Sequence, residues 1–293
     1  MNATTELHPH SVAGVLERAV AVLEGARVPS PGADAELLVG HVLGVGRGEV
    51  RAKAAIGALL AAEEAERVRQ LVERRAAREP LQHITGRAAF RHLELSVGPG
   101  VFVPRPETEF VAQFAIDALA ATASESPVGV DLGTGTGAIA LAMATEVPHA
   151  SVVGVEVSPI AYIWTRQNFR EIAAPNARPV FADLASALPE LDGSVDVVIS
   201  NPPYIPAGAI PRDPEVRLFD PEIALYGGED GLDVVREVSA AARRLLRPGG
   251  SLVLEHGELQ AAPIAALLEQ DGWRAVARHR DLLGRDRATT ALR

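Results

Sequence analysis

An asparagine, two prolines and a tyrosine directly after an apolar stretch form a motif that can grip a flat nitrogen group. Residues 195–199 read VDVVI, as in a buried strand, and Asn201, Pro202, Pro203 and Tyr204 follow one serine later. Prolines fix their own φ and lack N–H donors, and Pro202 restricts Asn201 to an extended conformation, so we expect a rigid rim. The Asn201 side-chain oxygen and the Pro202 carbonyl can accept the two hydrogens of a planar NH₂ group, on which Tyr204 can stack.

Such a rim suits methyl transfer to nitrogen. An amide or exocyclic amine is a poor nucleophile because its lone pair is delocalised. Acceptors on both hydrogens hold electron density on the nitrogen and aim it, so transfer from a sulfonium cofactor needs mainly alignment. The structural alternative is a plain proline-rich turn after a strand.

A glycine-rich loop between a predicted strand and a predicted helix indicates a nucleotide-like cofactor. Gly133, Gly135 and Gly137 follow the run VGVD (residues 128–131). Glycines at this position permit tight turns and let a ligand approach the backbone at a helix N-terminus. The spacing up to Ala138 also satisfies a relaxed dinucleotide fingerprint, so this loop alone leaves NAD open, as well as a simple strand-to-helix turn. The asparagine rim argues against NAD, because hydride transfer has no use for it.

Two acidic residues stand at predicted strand ends. Glu156 closes the second strand, where it can accept hydrogen bonds from both ribose hydroxyls or be an exposed charge. Asp183 closes the third strand, and there a contact with adenine and a cap or turn role are both open. Ligands of open parallel sheets collect along the carboxyl edge of the strands, so we expect these acids to join the glycine loop and Asn201 there.

The surrounding elements change period along the chain. Helical spacing of apolar residues predicts helices at residues 11–27, 34–43 and 61–79. Period-two alternation on both sides of Gly98-Pro99-Gly100 predicts a β-hairpin that turns at these three residues. Strands then alternate with helices, which predicts a parallel, doubly wound sheet with two further strands pairing antiparallel at the C-terminus. The predicted strands are residues 128–131, 151–156, 178–183, 195–200, 251–257, 273–280 and 287–293.

Composition excludes several classes of protein. The chain has 293 residues, no cysteine and a formal net charge of −10, which rules out thiol catalysis and argues against a duplex-wrapping nucleic-acid binder. The eight histidines show no metal-binding spacing, so we expect no metal. The first residues, MNATTELH, lack the basic and apolar segments of a signal peptide, and no apolar run is long enough to span a membrane. We therefore expect a cytoplasmic protein.

Taken together, these motifs resemble the class I S-adenosyl-L-methionine-dependent methyltransferases, and more closely the HemK/PrmC family of protein-(glutamine-N5) methyltransferases that modify peptide chain release factors. The motif NPPY alone is shared with DNA, RNA and other amino methyltransferases. Two longer segments narrow the match, PLQHITGRAAFRHLELSVGPGVFVPRPETE (residues 80–109) and DPEVRLFDPEIALYGGEDGLD (residues 213–233). Three others extend the resemblance over essentially the whole chain: residues 131–141, 246–260 and 281–292.

The resemblance implies an α/β architecture in three parts. A helical-bundle domain (residues 1–85) would dock the protein substrate, and a β-hairpin linker (residues 86–105) would follow. A Rossmann-like methyltransferase domain (residues 106–293) would contain a mostly parallel seven-stranded sheet with an antiparallel C-terminal strand. The reaction would be methylation of the glutamine side chain in the Gly-Gly-Gln (GGQ) loop of class I release factors, in support of translation termination.

The resemblance also implies a role for each site residue. Substrate glutamine would lie against Asn201, Pro202, Pro203 and Tyr204, with Asn201, Pro202 and Tyr204 catalytic. S-adenosyl-L-methionine would be held by Gly133, Thr134, Gly135, Thr136, Gly137, Glu156, Asp183, Leu184 and Asn201. In PRPETE, the glutamates Glu107 and Glu109 would cap a helix or contact the cofactor. Glu255-His256 invites assignment as a catalytic base, but the rim already explains activation.

Two other functions remain open at this point. The same rim would serve a nucleic-acid amino methyltransferase acting on N6 of adenine or N2 of guanine, although the net charge of −10 disfavours it. A binding module that keeps the cofactor pocket without catalysis is the other. For the leading interpretation we expect a monomer whose partners are release factors, with no membrane and no direct nucleic-acid contact.

Overall fold

A computed structural model of the protein describes residues 8–293, and the chain divides into two compact units. The first unit comprises the described residues up to Gly86 together with Arg212–Phe219, and the second comprises Arg87–Pro211 and Asp220–Arg293. Residues 1–7, on which the expectation of no signal peptide rests, lie outside the described part of the chain. No helix within residues 8–293 has the length and apolar character needed to cross a membrane.

The first unit is helical and has its own apolar core. Its helices are α1 (Val12–Gly25), α2 (Pro31–Leu43), α3 (Arg47–Ala55), α4 (Ala62–Ala76), α5 (Leu81–Thr85) and, from the later segment, α9 (Pro214–Phe219). The three helices predicted from apolar spacing are thus confirmed. Helix α3 was missed because Val50 is its only fully buried residue, which leaves no apolar stripe to detect.

The β-hairpin is present, but the prediction of its turn was wrong. Strands β1 (Arg87–Phe90) and β2 (Leu93–Ser96) pair antiparallel and turn at Arg91-His92. Gly98 instead lies under the indole of Trp164, where a Cβ would come within 2.4 Å of the ring. These glycines therefore permit close packing against helix α8 (Pro159–Ile172), a tertiary reason that a turn-like sequence does not reveal.

The second unit is built on a seven-stranded sheet with the order β5-β4-β3-β6-β7-β9-β8. Strands β3 to β7 are mutually parallel, and β9 pairs antiparallel with both β7 and β8, as predicted. The strands are β3 (Val128–Leu132), β4 (Ser151–Glu156), β5 (Ala177–Phe181), β6 (Val195–Ser200), β7 (Leu246–Glu255), β8 (Arg274–Arg280) and β9 (Asp286–Leu292).

Helices cover both faces of this sheet, so its central strands are buried on both sides. Helices α6 (Pro106–Ala120) and α7 (Ala138–Glu146) pack in one core cluster, and α10 (Asp233–Leu245) and α11 (Ala261–Gln270) pack in another. Along β6, Val197 and Ile199 belong to the first cluster and Val198 to the second. Two-sided burial is typical of parallel sheets and explains the continuous apolar run of β6.

Candidate functional site

The predicted site residues lie at neighbouring strand ends along one edge of the sheet. In sheet order, Asp183 follows β5, Glu156 ends β4, the glycine loop follows β3 and Asn201 follows β6. The next strand, β7, ends at Glu255. Because these five strands are parallel, their carboxyl ends form one continuous row, the usual ligand-binding edge of an open α/β sheet.

The glycine loop is shaped for close approach by a ligand. Gly133, Gly135 and Gly137 all have positive φ, at 76°, 57° and 87°, a region that favours glycine. A Cβ added to Gly133 or Gly135 would meet no heavy atom within 4 Å in the described chain, whereas one at Gly137 would meet Phe169 at 2.8 Å. The first two glycines therefore face open space, and the third permits packing beneath the loop.

Two buried carboxylates hold that loop in shape. Asp131 Oδ2 accepts hydrogen bonds from the Thr134 hydroxyl at 2.5 Å and from Ala140 N–H at 3.2 Å. Burial raises the pKa of Asp131 to about 7, although the bonds from Thr134 and Ala140 oppose that rise. Glu156 Oε2 accepts from Gly135 N–H at 2.8 Å, while its Oε1 accepts from the backbone N–H groups of residues 157 and 158.

The threonines of the loop point into the protein. Thr134 is buried and donates to Asp131, and Thr136 is buried with its carbonyl accepting a hydrogen bond from Asn168 at 2.9 Å. Both side chains therefore build the loop. If these two threonines contact a ligand, they would do so through their backbone groups, which the two open glycines leave accessible.

Asp183 differs from its predicted position. Strand β5 ends at Phe181, so Asp183 lies two residues beyond the strand end instead of closing it. Its side chain is exposed at the start of a turn, where Oδ1 accepts a hydrogen bond from Ala185 N–H at 2.8 Å. Leu184 is half-buried and packs against the core cluster of α10 and α11. The turn role left open for Asp183 is therefore present in the fold, and a contact with adenine stays a prediction.

The asparagine-proline rim is fixed from behind by backbone bonds. Ile205 N–H donates to Leu225 O at 2.8 Å, and Gly227 N–H donates to Ile205 O at 2.9 Å. The Gln260 side chain donates to Tyr204 O at 2.8 Å. Burial raises the pKa of the Tyr204 hydroxyl to about 12, so this ring stays neutral at physiological pH. These bonds hold the Tyr204 carbonyl and the backbone that directly follows the rim.

Asn201 belongs to a buried polar chain that ends at Glu255. Asn201 Nδ2 lies 3.4 Å from Thr108 Oγ1, and the Thr108 hydroxyl lies 3.1 Å from Glu255 Oε1. Glu255 is 1% exposed, and its Oε2 has no hydrogen-bond partner among residues 8–293. Burial raises the pKa of Glu255 to about 7, while the Thr108 bond and the charge of Arg287 lower it.

The PRPETE segment begins helix α6 as predicted, with Pro106 at its first position. Its two glutamates differ. Glu109 Oε1 accepts from Arg91 N–H at 3.0 Å and so anchors the hairpin turn. Glu107 lies close enough to Glu255 to raise the pKa of that carboxyl. Arg105 forms an ion pair at 2.7 Å with the buried carboxylate of Asp220.

Sequence reasoning missed two residues of this edge, Asp131 and Thr108, and set aside a third, Glu255, which it had weighed only as a catalytic base. Asp131 sits inside the apolar run VGVD and Glu255 ends the run SLVLE, so each is a carboxylate closing a buried strand. That was the signal used for Glu156, and it applied equally here. Thr108 carried no such signal, because only the fold brings the first turn of α6 beside β7.

The fold and this edge together define a class of protein. A sheet of order β5-β4-β3-β6-β7-β9-β8, with a glycine loop after its first strand and NPPY after its fourth, is the architecture of class I S-adenosyl-L-methionine-dependent methyltransferases. Two solved structures share the fold. The hMettl16 catalytic domain in complex with the MAT2A 3'UTR hairpin 6 has a TM-score of 0.53 at 16% identity, covering 79% of this chain and 82% of that one. A methyltransferase from Pyrococcus furiosus has a TM-score of 0.50 at 21% identity, covering 70% and 90%.

Sequence relatives narrow the class to one family. Residues 14–86 match the PrmC N-terminal domain, and residues 92–219 match the methyltransferase small domain. The release factor glutamine methyltransferase of Streptomyces coelicolor is 50% identical over 92% of this chain and 93% of its own length. That of Mycolicibacterium smegmatis is 46% identical over 95% and 96%. The chain belongs to the release factor glutamine methyltransferase family.

One relative has a different name. The 4-amino-L-phenylalanine/4-methylamino-L-phenylalanine methyltransferase of Streptomyces pristinaespiralis is 39% identical over 89% of this chain and 88% of its own length. Its name describes methylation of an aromatic amine, also a planar nitrogen.

The loop and its neighbours fit S-adenosyl-L-methionine, the cofactor of this class. Gly133 and Gly135 leave room against the backbone, as a bound ligand requires. Three backbone N–H groups already bond to Glu156, and a carboxylate offers about four acceptor positions, so about one remains for a ribose hydroxyl. When bound, the cofactor supplies a sulfonium-activated methyl group.

Proposed function

We propose that this protein methylates the side-chain amide nitrogen (N5) of the glutamine in the GGQ motif of peptide chain release factors, and so supports translation termination. The observation that carries the proposal is the rigid rim at residues 201–204, one strand away from the open glycine loop, in a chain of this family. Strands β6 and β3 end side by side, where the Ser200 hydroxyl donates to Leu132 O at 2.6 Å. This contact supports the proximity of the rim to the glycine loop.

In this proposal the rim binds and orients the substrate amide. Asn201 Oδ1 and Pro202 O accept its two hydrogens, Tyr204 stacks on its plane, and Pro203 keeps the rim rigid. Both acceptors are neutral, so they localise electron density on nitrogen without removing a proton first. The nitrogen would gain the methyl group as the bond from methyl to the sulfonium sulfur breaks, and one of its two N–H protons would then pass to water. The main contribution to rate is then alignment of the nitrogen lone pair with the methyl group.

The proposed cofactor contacts use the opposite part of the same edge. Backbone groups of residues 133–137 would hold the methionine part, Glu156 the ribose, and Asp183 with Leu184 the adenine. Asn201 would contribute to both sites because it follows β6, the strand next to β3 and its glycine loop. Leu184 is the best supported adenine contact, since it is apolar and half-buried.

The proposal extends to domain roles and partners. We assign substrate docking to the N-terminal helical domain (residues 1–85), a linker role to residues 86–105 and catalysis to residues 106–293. The protein would act as a monomer in the cytoplasm, where release factors work, without direct contact to nucleic acid. The net charge of −10 supports the last point, because phosphate binding needs a basic surface.

Mass spectrometry of a release factor incubated with the protein and S-adenosyl-L-methionine tests the function. We expect a gain of about 14 Da, one methyl group, on the GGQ-containing peptide. Replacing Asn201 with alanine removes one of two acceptors and should lower kcat/KM by about 100-fold or more, by analogy with the loss of one preorganised hydrogen-bonding group.

The competing substrates serve as controls in the same assay. Free 4-amino-L-phenylalanine, a DNA duplex and an RNA hairpin are each incubated with the protein at matched concentration. Methylation of any of these without methylation of the release factor would overturn the proposed substrate. Unchanged activity of Asn201→Ala on the release factor would overturn the role given to the rim.

A further inference from the structure

Glu255 is a buried acid at the substrate edge with no part in the binding scheme above. It ends β7, next to β6 and Asn201 in the sheet. Its Oε1 accepts from the Thr108 hydroxyl at 3.1 Å, and its Oε2 lacks a partner throughout residues 8–293. A buried carboxylate with an unpartnered oxygen is costly, so its presence calls for a use.

The use follows from the direction of hydrogen-bond donation along the chain from Asn201 through Thr108 to Glu255. An ionised carboxylate only accepts hydrogen bonds, so Thr108 must donate its single hydroxyl hydrogen to Glu255. Thr108 Oγ1 then presents only lone pairs to Asn201, whose side-chain nitrogen lies 3.4 Å away. This face admits the NH₂ end of the Asn201 amide and repels its oxygen. Because the amide is planar, Oδ1 faces the opposite way.

We propose that Glu255 is a positioning residue which, through Thr108, fixes the flip of the Asn201 amide so that Oδ1 is presented as acceptor to the substrate nitrogen. The inference rests on the proposed function for the nature of that substrate. Its structural content, the orientation of Asn201 set by a buried carboxylate, is independent of which planar nitrogen is methylated. Without the carboxylate, either end of the amide could face Thr108, and a flipped Asn201 would offer donors where acceptors are needed.

The protonation state of Glu255 decides the polarity. Burial raises its pKa to about 7, and hydrogen bonding from Thr108, the charge of Arg287 and the Asn201 amide lower it, while Glu107 raises it. A protonated Glu255 can donate to Thr108, which frees the Thr108 hydroxyl to donate to Asn201 Oδ1 and reverses the chain. Tyr204 is a further titratable group near this carboxyl, since the charge of Glu255 contributes to its raised pKa, and His256 follows Glu255 in the chain.

Steady-state kinetics of Glu255→Gln test the proposal against wild type. Glutamine keeps the shape but can donate to Thr108, so we expect kcat on the release factor to fall about 10–100-fold as the amide loses its alignment. Affinity for S-adenosyl-L-methionine, measured by calorimetry, should stay within about twofold, because Glu255 lies at the substrate end of the row. The fall in activity below pH 7 that Glu255 causes in wild type should disappear from the variant.

Two variants at Thr108 separate the relay from simple packing. Thr108→Val removes the hydroxyl at nearly constant shape and should lower kcat as Glu255→Gln does. Thr108→Ser restores a hydroxyl and should recover most of that loss. If kcat and the pH profile of Glu255→Gln match wild type, the proposal is overturned. Absence of GGQ methylation by the wild-type protein would instead count against the proposed function.

An observation without turnover tests the positioning itself. The chain has four asparagines, Asn2, Asn168, Asn176 and Asn201, so ¹⁵N-asparagine labelling gives few side-chain amide signals, and Asn201→Ala identifies the one of interest. We expect this signal to shift with a midpoint near pH 7 in wild type and to lose that dependence in Glu255→Gln. A signal indifferent to both pH and Glu255 would overturn the proposal even if the enzyme were inactive.

Discussion

A carboxylate cluster in the first unit and two acids at the ligand edge of the second are buried in opposite ways. In the first unit, Asp34 and Glu215 both bond to Arg75, at 2.7 and 2.8 Å, and Glu215 also bonds to Arg78. In the second unit, Asp131 and Glu255 are buried more completely, yet each has one oxygen without a hydrogen-bond partner in the described chain. Glu215, with guanidinium partners, and Asp131 and Glu255, without a hydrogen bond from one, have pKa values shifted in opposite directions.

Those shifts have a physical meaning for each unit. Burial alone would raise the pKa of Glu215, but hydrogen bonds from its neighbours, the Arg78 and Arg75 guanidinium groups among them, lower it to about 2. Burial raises the pKa of Asp131 and Glu255 to about 7. Ionised Glu215 therefore stabilises the folded first unit. Ionised Asp131 and Glu255 reduce the stability of the second, which is typical of groups kept for a site.

The largest effect should come from breaking the paired cluster. Arg75→Ala leaves Asp34 and Glu215 buried with less compensation, and we expect the first unit to lose about 3–5 kcal/mol of unfolding free energy. Both tryptophans, Trp164 and Trp273, lie in the second unit, so tryptophan fluorescence does not report on the first. Hydrogen exchange of peptides from α1 to α4, followed by mass spectrometry, measures the change. Protection equal to wild type would show that the cluster contributes nothing net.

Removing the charge of an unpaired carboxylate should have a smaller effect than Arg75→Ala, and it should raise the free energy of unfolding instead of lowering it. The pKa of these two carboxyls, Asp131 and Glu255, is about 7 in the folded protein, higher than in the unfolded chain. Their contribution to the free energy of unfolding is therefore fully present below about pH 4, where both are protonated, and is lost as pH rises through 7. Replacing Glu255 with glutamine removes that loss. We expect the second unit of Glu255→Gln to be about 1–3 kcal/mol more stable than wild type at pH 8 and nearly equal at pH 4.

Urea unfolding followed by tryptophan fluorescence at both pH values checks this prediction. Wild type serves as its own control, because its second unit should lose stability between pH 5 and pH 8. The first unit, followed by hydrogen exchange of α1 to α4, should show the reverse trend, since the contribution of Glu215 is present above about pH 4.5 and is lost as pH falls towards 2. A Glu255→Gln protein less stable than wild type at pH 8 would mean that ionised Glu255 has a partner strong enough to offset its burial.

The same contrast explains what the sequence could predict. Periodicity identified the sheet, because a strand buried on both faces must be apolar throughout, and the glycine and NPPY motifs located its ligand edge. Local spacing could not identify the pairing of Glu215 with Arg75, 140 residues away. Local spacing also misplaced the hairpin turn at Gly98–Gly100, because it could not reveal that Gly98 packs against Trp164, a residue distant in sequence. Burial of an acid is visible in sequence, but its partner is not.

The smallest effect should come from an exposed ion pair. Hydrogen bonding to Arg69, with help from Gln70, lowers the pKa of Glu66 to about 2, the same value as for Glu215, and Arg69 also contacts Glu73. These side chains are about half exposed, so solvent and salt screen the interaction and ordering two long side chains opposes it. Arg69→Ala should therefore leave hydrogen-exchange protection of α4 within error of wild type in 0.15 M salt. Destabilisation comparable with that of Arg75→Ala would show that pairing alone, without burial, determines what a carboxylate contributes to this fold.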